Sequence, residues 1–155
     1  MRAGCPAARI ATCFCERWAL AWIGVYLAAL VAFLAIDVVW LTRVMRPLFE
    51  RHVGALLRED MLLSAAAGFY LAYVVGILWF CVLPGLRDGS VVLAFGHGLA
   101  LGFLAYGTYE FTNMTTLKGW DWSMVAVDTA WGMALTGVTA VVGVLAGRAL
   151  GLGGG

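Results

Sequence analysis

Charge is scarce in this chain. Asp, Glu, Lys and Arg together make up 12% of its 155 residues, while hydrophobic residues make up 63%. A soluble domain carries about 25% charged and roughly 45–50% apolar residues, so a water-facing surface cannot be built from this composition. One lysine stands against nine arginines, and the net charge is only +1. The arginines are scattered, with no basic stripe interleaved with aromatics, which excludes the usual nucleic-acid footprint. Cysteine is present but unorganised. Cys5, Cys13 and Cys15 lie near the N-terminus and Cys81 sits in an apolar run, without the CxxC or Cys/His spacing of a zinc site or the pattern of a disulfide framework. Gly-x-Ser-x-Gly, His-Glu-x-x-His and a Gly-rich phosphate loop are all missing, so nothing in the sequence implies a cofactor or a metal.

What remains is length of apolar chain. Four runs approach the ~20 residues that an α-helix needs to cross about 30 Å of hydrocarbon, at residues 18–41, 61–83, 91–112 and 123–146. The first ends in Asp37 and Trp40 without a small-residue cleavage motif and is too long for a signal-peptide core, so it reads as an uncleaved span. Pro84-Gly85 with Arg87-Asp88-Gly89 is expected to break the second run from the third. Lys118-Gly119-Trp120-Asp121-Trp122 separates the third from the fourth, and its tryptophans suit the interfacial belt. The predicted architecture is all-α: an integral membrane four-helix bundle over residues 18–150, both termini on one side, with an N-terminal tail (1–17) and a Gly-rich tail (151–155). In the connector, Leu48, Phe49, Val53, Leu56 and Leu57 share one helical face and Glu50, Arg51 and Arg58 fall mostly on the other, which predicts an amphipathic helix over about residues 47–58, lying in the membrane interface or packed on the bundle's end. Stripes of small residues (Ser64/Gly68/Ala72/Gly76, Ala94/Gly98/Gly102 and Gly132/Thr136/Thr139/Gly143/Gly147) predict close helix packing. Five basic residues fall on each side of the bilayer, so the positive-inside rule gives no orientation.

Against this background three acids stand out: Asp37, Glu110 and Asp128. A carboxylate inside a bilayer costs about 3 kcal/mol or more and is kept only where it is paired, faces a wet cavity or performs work. The first helix ends on the side where the third ends and the fourth begins. At 1.5 Å per residue the three acids therefore fall within roughly 10 Å of one membrane face. Gly98, Gly102, Tyr106, Glu110 and Asn113 follow one another on one face of the third helix, which turns Glu110 into the bundle. Asp37 has Trp40 three residues on, and Asp128 has Trp131, so each indole shares a face with its acid and is placed to shield it or to donate its N–H to a neighbour. The expected polar pocket comprises Asp37, Trp40, Tyr106, Tyr109, Glu110, Thr112, Asn113, Asp128 and Trp131. Tyr70 and Tyr73 of the second helix are placed to extend its lining, and His97, about 20 Å along the third helix from Glu110, reads as a packing histidine near the opposite face.

The Asp37-x-x-Trp40-Leu41 segment, the connector with Leu56-Leu57-Arg58, the run Tyr106-Gly107-Thr108-Tyr109-Glu110-Phe111-Thr112-Asn113 and Val127-Asp128-x-x-Trp131-Gly132 together resemble the bacterial family called domain of unknown function 2177. The resemblance extends over about residues 36–143 and implies a small bacterial membrane protein. The family run usually reads Tyr-Gly-Thr-Tyr-Asp-x-Thr-Asn, so Glu110 here replaces an aspartate and moves the charge by one methylene, which counts against a rigid metal site.

Three classes of function fit these residues. The first is binding or translocation of a proton, small cation or cationic solute by the three acids, which with only four spans favours a homodimer. The second is a membrane enzyme acting on a lipid or amphiphile, with a carboxylate as general base. The third is a structural or accessory subunit whose acids pair with Arg43, Arg46 or Arg58. The excess of Arg over Lys, with abundant Ala, Gly and Val, points to GC-rich coding DNA and a bacterial inner membrane.

Overall fold

The computed structural model describes residues 6–58, 60 and 62–153, with side chains described from Glu16 onward. Among these residues the regular structure is entirely helical. Helix α1 (Pro6–Trp40) passes through a π-helical turn (Leu41–Met45) into the short α2 (Arg46–Val53). Helix α3 (Leu63–Ile77) likewise passes through a π turn (Leu78–Val82) into α4 (Leu83–Arg87). Helices α5 (Val91–Thr116) and α6 (Trp122–Ala149) complete the bundle. Four continuous helical stretches, carried by α1, α3–α4, α5 and α6, are long and apolar enough to cross a membrane. Helix α1 takes in residues 6–17 of the N-terminal tail; Cys5 lies outside the described residues, as do the side chains of Cys13 and Cys15.

Helices α5 and α6 make the most extensive pair, and they do so backbone to backbone. A β-carbon added at Gly98 would lie 2.7 Å from the Cα of Gly137, and one at Gly102 would lie 2.7 Å from the Cα of Met133. Without a hydrophobic drive between helices in lipid, such close approach is what holds a pair together. Around the seam, Val25, Ala29 and Phe33 of α1, Val74 and Ile77 of α3, and Leu135, Ala140 and Val144 of α6 form the central core. The small-residue stripe of α3 is not a seam inside the bundle: Ser64, Gly68 and Ala72 are exposed, and a β-carbon at Gly68 or Gly76 would meet nothing. The buried side of α3 is instead Tyr70, Tyr73, Val74 and Ile77, because these bulky residues fill the gap left beside α1 and α6.

Pro84 does not break the second span. The chain stays helical to Arg87 and reverses only at Gly89, whose φ of 62° suits a residue without a side chain. Proline has no N–H, so the helical stretch that runs through the π turn and Pro84 is one donor short. His97 of α5 replaces it: its Nδ1 lies 3.1 Å from the Phe80 oxygen. The carbonyl can only accept, so Nδ1 carries the proton. In hydrocarbon every backbone polar group must be satisfied within the protein. His97→Ala is therefore expected to cost about 1–3 kcal/mol, the range for a polar group left unpaired. Adding Pro84→Ala, which restores an N–H to the helix, should recover most of the loss. Thermal unfolding of both variants in detergent checks this; a double variant no more stable than His97→Ala would contradict it.

The connector helix ends earlier than its apolar pattern indicates. Residue Val53 leaves the helical region (φ −132°, ψ 23°), so the register breaks before Leu56 and Leu57, which are exposed at 59% and 44%. Val53, Leu48 and Phe49 pack on Trp120, Met124 and Val125 at the end of the bundle. The turn beneath α2 is tight: Gly119 has φ 87°, and a β-carbon there would lie 2.9 Å from the carbonyl oxygen of His52. Asp121 then caps α6, its Oδ1 accepting the Ser123 N–H at 2.8 Å. That bond holds the Asp121 carboxyl below the usual carboxylate range, so the cap is intact at neutral pH and is lost as pH falls through the depressed value.

Candidate functional site

The close contact of α5 with α6 positions the polar residues. Because Gly132 has no side chain, the ring of Tyr106 lies directly against it, and a β-carbon there would occupy the ring's own place. One turn further along α5, Glu110 is fully buried, with 0% exposure. Asp37 at the end of α1 is 2% exposed and Asp128 in the first turns of α6 is 8% exposed, so none of the three carboxyl groups faces lipid. Asp128 lies within electrostatic reach of both Glu110, its immediate neighbour, and Asp37.

The two Asp-x-x-Trp segments are exchanged. The indoles of Trp40 and Trp131 stack in parallel, 4.1 Å between centroids and 3° between planes. Trp131, from the segment of Asp128, donates its Nε1–H to Asp37 Oδ1 at 3.3 Å. Asp37 therefore takes its donor from the other helix, which ties the end of α1 to the start of α6, while Trp40 makes no such bond to Asp128. Tyr70 of α3 stands beside Asp37, and Tyr106 lies in reach of Asp37 and Asp128. Deeper in the bundle the Tyr73 hydroxyl meets Thr136 Oγ1 at 3.0 Å.

Glu110 has a partner that the pattern of helical spacings did not single out. Trp120, in the turn before α6, donates its Nε1–H to Glu110 Oε2 at 2.8 Å. It is held there by Phe49 of α2 at 5.4 Å and Tyr109 at 5.8 Å between ring centroids. Trp120 reads from sequence as one of two interfacial tryptophans, and ten residues from Glu110 across a turn is no helical repeat. The contact exists because Gly119 adopts a left-handed conformation. Among the pocket residues read from sequence, Asn113 is half-buried beside Tyr109. Tyr109 is 51% exposed and flanks Trp120 rather than lining the acids. Thr112 is directed away from the group: it is exposed, and its hydroxyl donates to the carbonyls of Thr108 and Tyr109 in its own helix.

The connector arginines do not reach the acids. Arg46 pairs with Glu50 at 2.9 Å on the surface, and Arg58 donates to the carbonyl of Asp60 at 3.2 Å. Among the described residues no Lys, Arg or His forms a salt bridge with Asp37, Glu110 or Asp128. Asp37 Oδ2 and Glu110 Oε1 are buried without a hydrogen-bond partner among the described residues. Two open clefts flank this region. One of about 330 Å³, between α5 and α6, is lined by Phe103, Phe111, Trp122 and Met133 among others. The second, of about 380 Å³, lies outside α1 along Trp40 and Trp131. Neither is lined by an acid.

Fold and placement together define a four-span, all-helical membrane protein with acids buried between helix ends at one face. The chain belongs to the family described as predicted membrane protein (DUF2177), whose profile matches residues 22–145. No curated protein and no solved structure matches it.

Proposed function

We propose that the protein binds and translocates protons through Asp37, Glu110 and Asp128. The observation that carries this is the burial of three carboxyl groups without a cationic side chain paired to any of them among the described residues. Unneutralised charges in a low-dielectric interior cost several kcal/mol each, so protons or a cation must offset them. Two features favour the proton over the other cargoes considered. Among the described residues, the acids do not form a group of three placed to hold a metal ion. The two clefts described above are bounded by residues other than the acids, so neither offers an organic cation a place beside the carboxyl groups. Neighbouring carboxyl groups such as Glu110 and Asp128 share a proton readily, because like charges at close range cannot both ionise. Tyr70 is a hydroxyl neighbour able to pass a proton to and from Asp37. We further infer that the protein resides in a bacterial inner membrane and works as a homodimer, the outward small-residue stripe of α3 offering a contact for a second copy.

The test is proton flux in vesicles. The full chain, reconstituted around a trapped pH-sensitive dye under an imposed membrane potential, is expected to move protons. Glu110→Gln and Asp128→Asn should each lower the rate at least about tenfold, the effect of losing a positioned proton-transfer group. Glu50→Gln, which removes only an exposed surface pair, should not change it. Flux equal to that of protein-free vesicles, or equal in all variants, contradicts the proposal.

A further inference from the structure

The cleft outside α1 has a composition that the proton site does not use. Its walls are aliphatic side chains of α1, Ile36, Val39 and Val44 among them, with the indoles of Trp40 and Trp131 and a single charged group, Arg43. Its lining from Ala35 to Val44 follows about 13 Å of helix rise, and its volume of about 380 Å³ falls in the range of small-molecule sites. The polar groups along it are all donors. Arg43, an exposed side chain, has no acidic partner among the described residues. Trp131 has committed its N–H to Asp37. An occupant must therefore bring acceptors and negative charge at the Arg43 end and an apolar chain along the rest.

We propose that this cleft holds one anionic phospholipid, with its phosphate on Arg43 and an acyl chain lying along α1 against the stacked indoles. Charge complementarity selects the anionic class, since no acidic side chain lines the cleft to receive the ammonium group of a zwitterionic lipid. Depth agrees with this: Arg43 follows the end of α1 at the polar level, while Ala35 and Ile36 lie deeper, so the cleft runs from charged to apolar as a lipid does. The inference stands apart from the proton reading, although the lipid would touch the indole that bonds Asp37.

Native mass spectrometry of the full chain, extracted from vesicles containing equal phosphatidylglycerol and phosphatidylcholine, tests it. One phosphatidylglycerol should be retained in preference. Arg43→Gln should lower that preference about fivefold, the contribution of one basic residue near a lipid headgroup, and Arg43→Lys should keep most of it, which a folding defect would not. Val39→Trp fills the cleft from a side chain that is 62% exposed and therefore leaves the core alone; it should release lipid of either kind. Arg87→Gln, beyond the other end of the bundle, should change nothing. Equal retention of the two lipids by the parent protein, retention of a free fatty acid instead, or equal losses in Arg43→Gln and Arg87→Gln would overturn the proposal.

Discussion

Gly102→Ala is expected to be among the most damaging single methyl groups that can be added to this protein. The new carbon would sit 2.7 Å from the carbonyl carbon of Gly132 and equally close to the Cα of Met133. Both are backbone atoms in the middle of α6, so no side chain can rotate away, and the two helices must separate. Overpacking usually costs 1–3 kcal/mol, and here the cost should reach or exceed about 3. The separation would also withdraw Tyr106 and Glu110 from Gly132 and Asp128, so any activity should fall with stability. Gly98→Ala, facing the Cα of Gly137 at 2.7 Å, should behave alike. Gly96→Ala, outside the stripe of α3, is the control. A β-carbon there meets nothing, and alanine favours a helix by up to about 1 kcal/mol, so stability should hold or rise. Thermal unfolding in detergent reads all three, and a Gly102→Ala protein as stable as its parent would show that α5 and α6 do not touch as described.

The second large effect is a difference between kinds of change at the acids. Asp37→Asn, Glu110→Gln and Asp128→Asn remove charge while keeping shape and an oxygen to accept the indole N–H of Trp131 or Trp120. If protons already neutralise the site, none of them should cost more than about 1 kcal/mol, within the range of a single ordinary hydrogen bond. If the acids instead served as partners of buried cations, each change would strand a charge at about 3–5 kcal/mol. Trp120→Phe runs the other way. It keeps the ring against Phe49 but leaves Glu110 Oε2 without its donor, which should cost about 1–3 kcal/mol. Melting these variants side by side separates the two accounts without knowledge of the cargo.

Much of the fold is legible in the sequence because lipid makes it so: apolar runs of this length have few alternatives to spanning helices. The face of α5 that carries Glu110 was equally legible, since Gly98 and Gly102 can only be a seam if Glu110 follows them inward. The same logic misled at Ser64, Gly68, Ala72 and Gly76, because small residues permit close approach without compelling it, and α3 meets the bundle through Tyr70 and Tyr73. Pro84 reads as a helix end because its missing N–H is visible in sequence, while the histidine that compensates lies 17 residues from the Phe80 carbonyl it meets, in another helix. Leu56 and Leu57 fit the periodicity of α2, but periodicity does not register that the backbone leaves the helix at Val53. The bond from Trp120 to Glu110 is hidden in the sequence for a related reason: it crosses a turn that contains a glycine with positive φ, and a turn's path is set by tertiary contacts. The exchange of Trp131 to Asp37 is visible in retrospect in the paired Asp-x-x-Trp segments, though only the crossing of α1 with α6 decides which indole serves which acid.

The most direct measurement is the infrared spectrum of the full chain at neutral pH, in the region where protonated carboxyl groups absorb apart from carboxylates. Buried carboxyl groups without counter-cations should give a protonated-carboxyl band that shifts in heavy water. Glu110→Gln or Asp128→Asn should each diminish the band, and the triple neutral variant should abolish it. A spectrum without that band at neutral pH, with no cation bound, would mean three ionised carboxylates inside the bundle and would contradict the account.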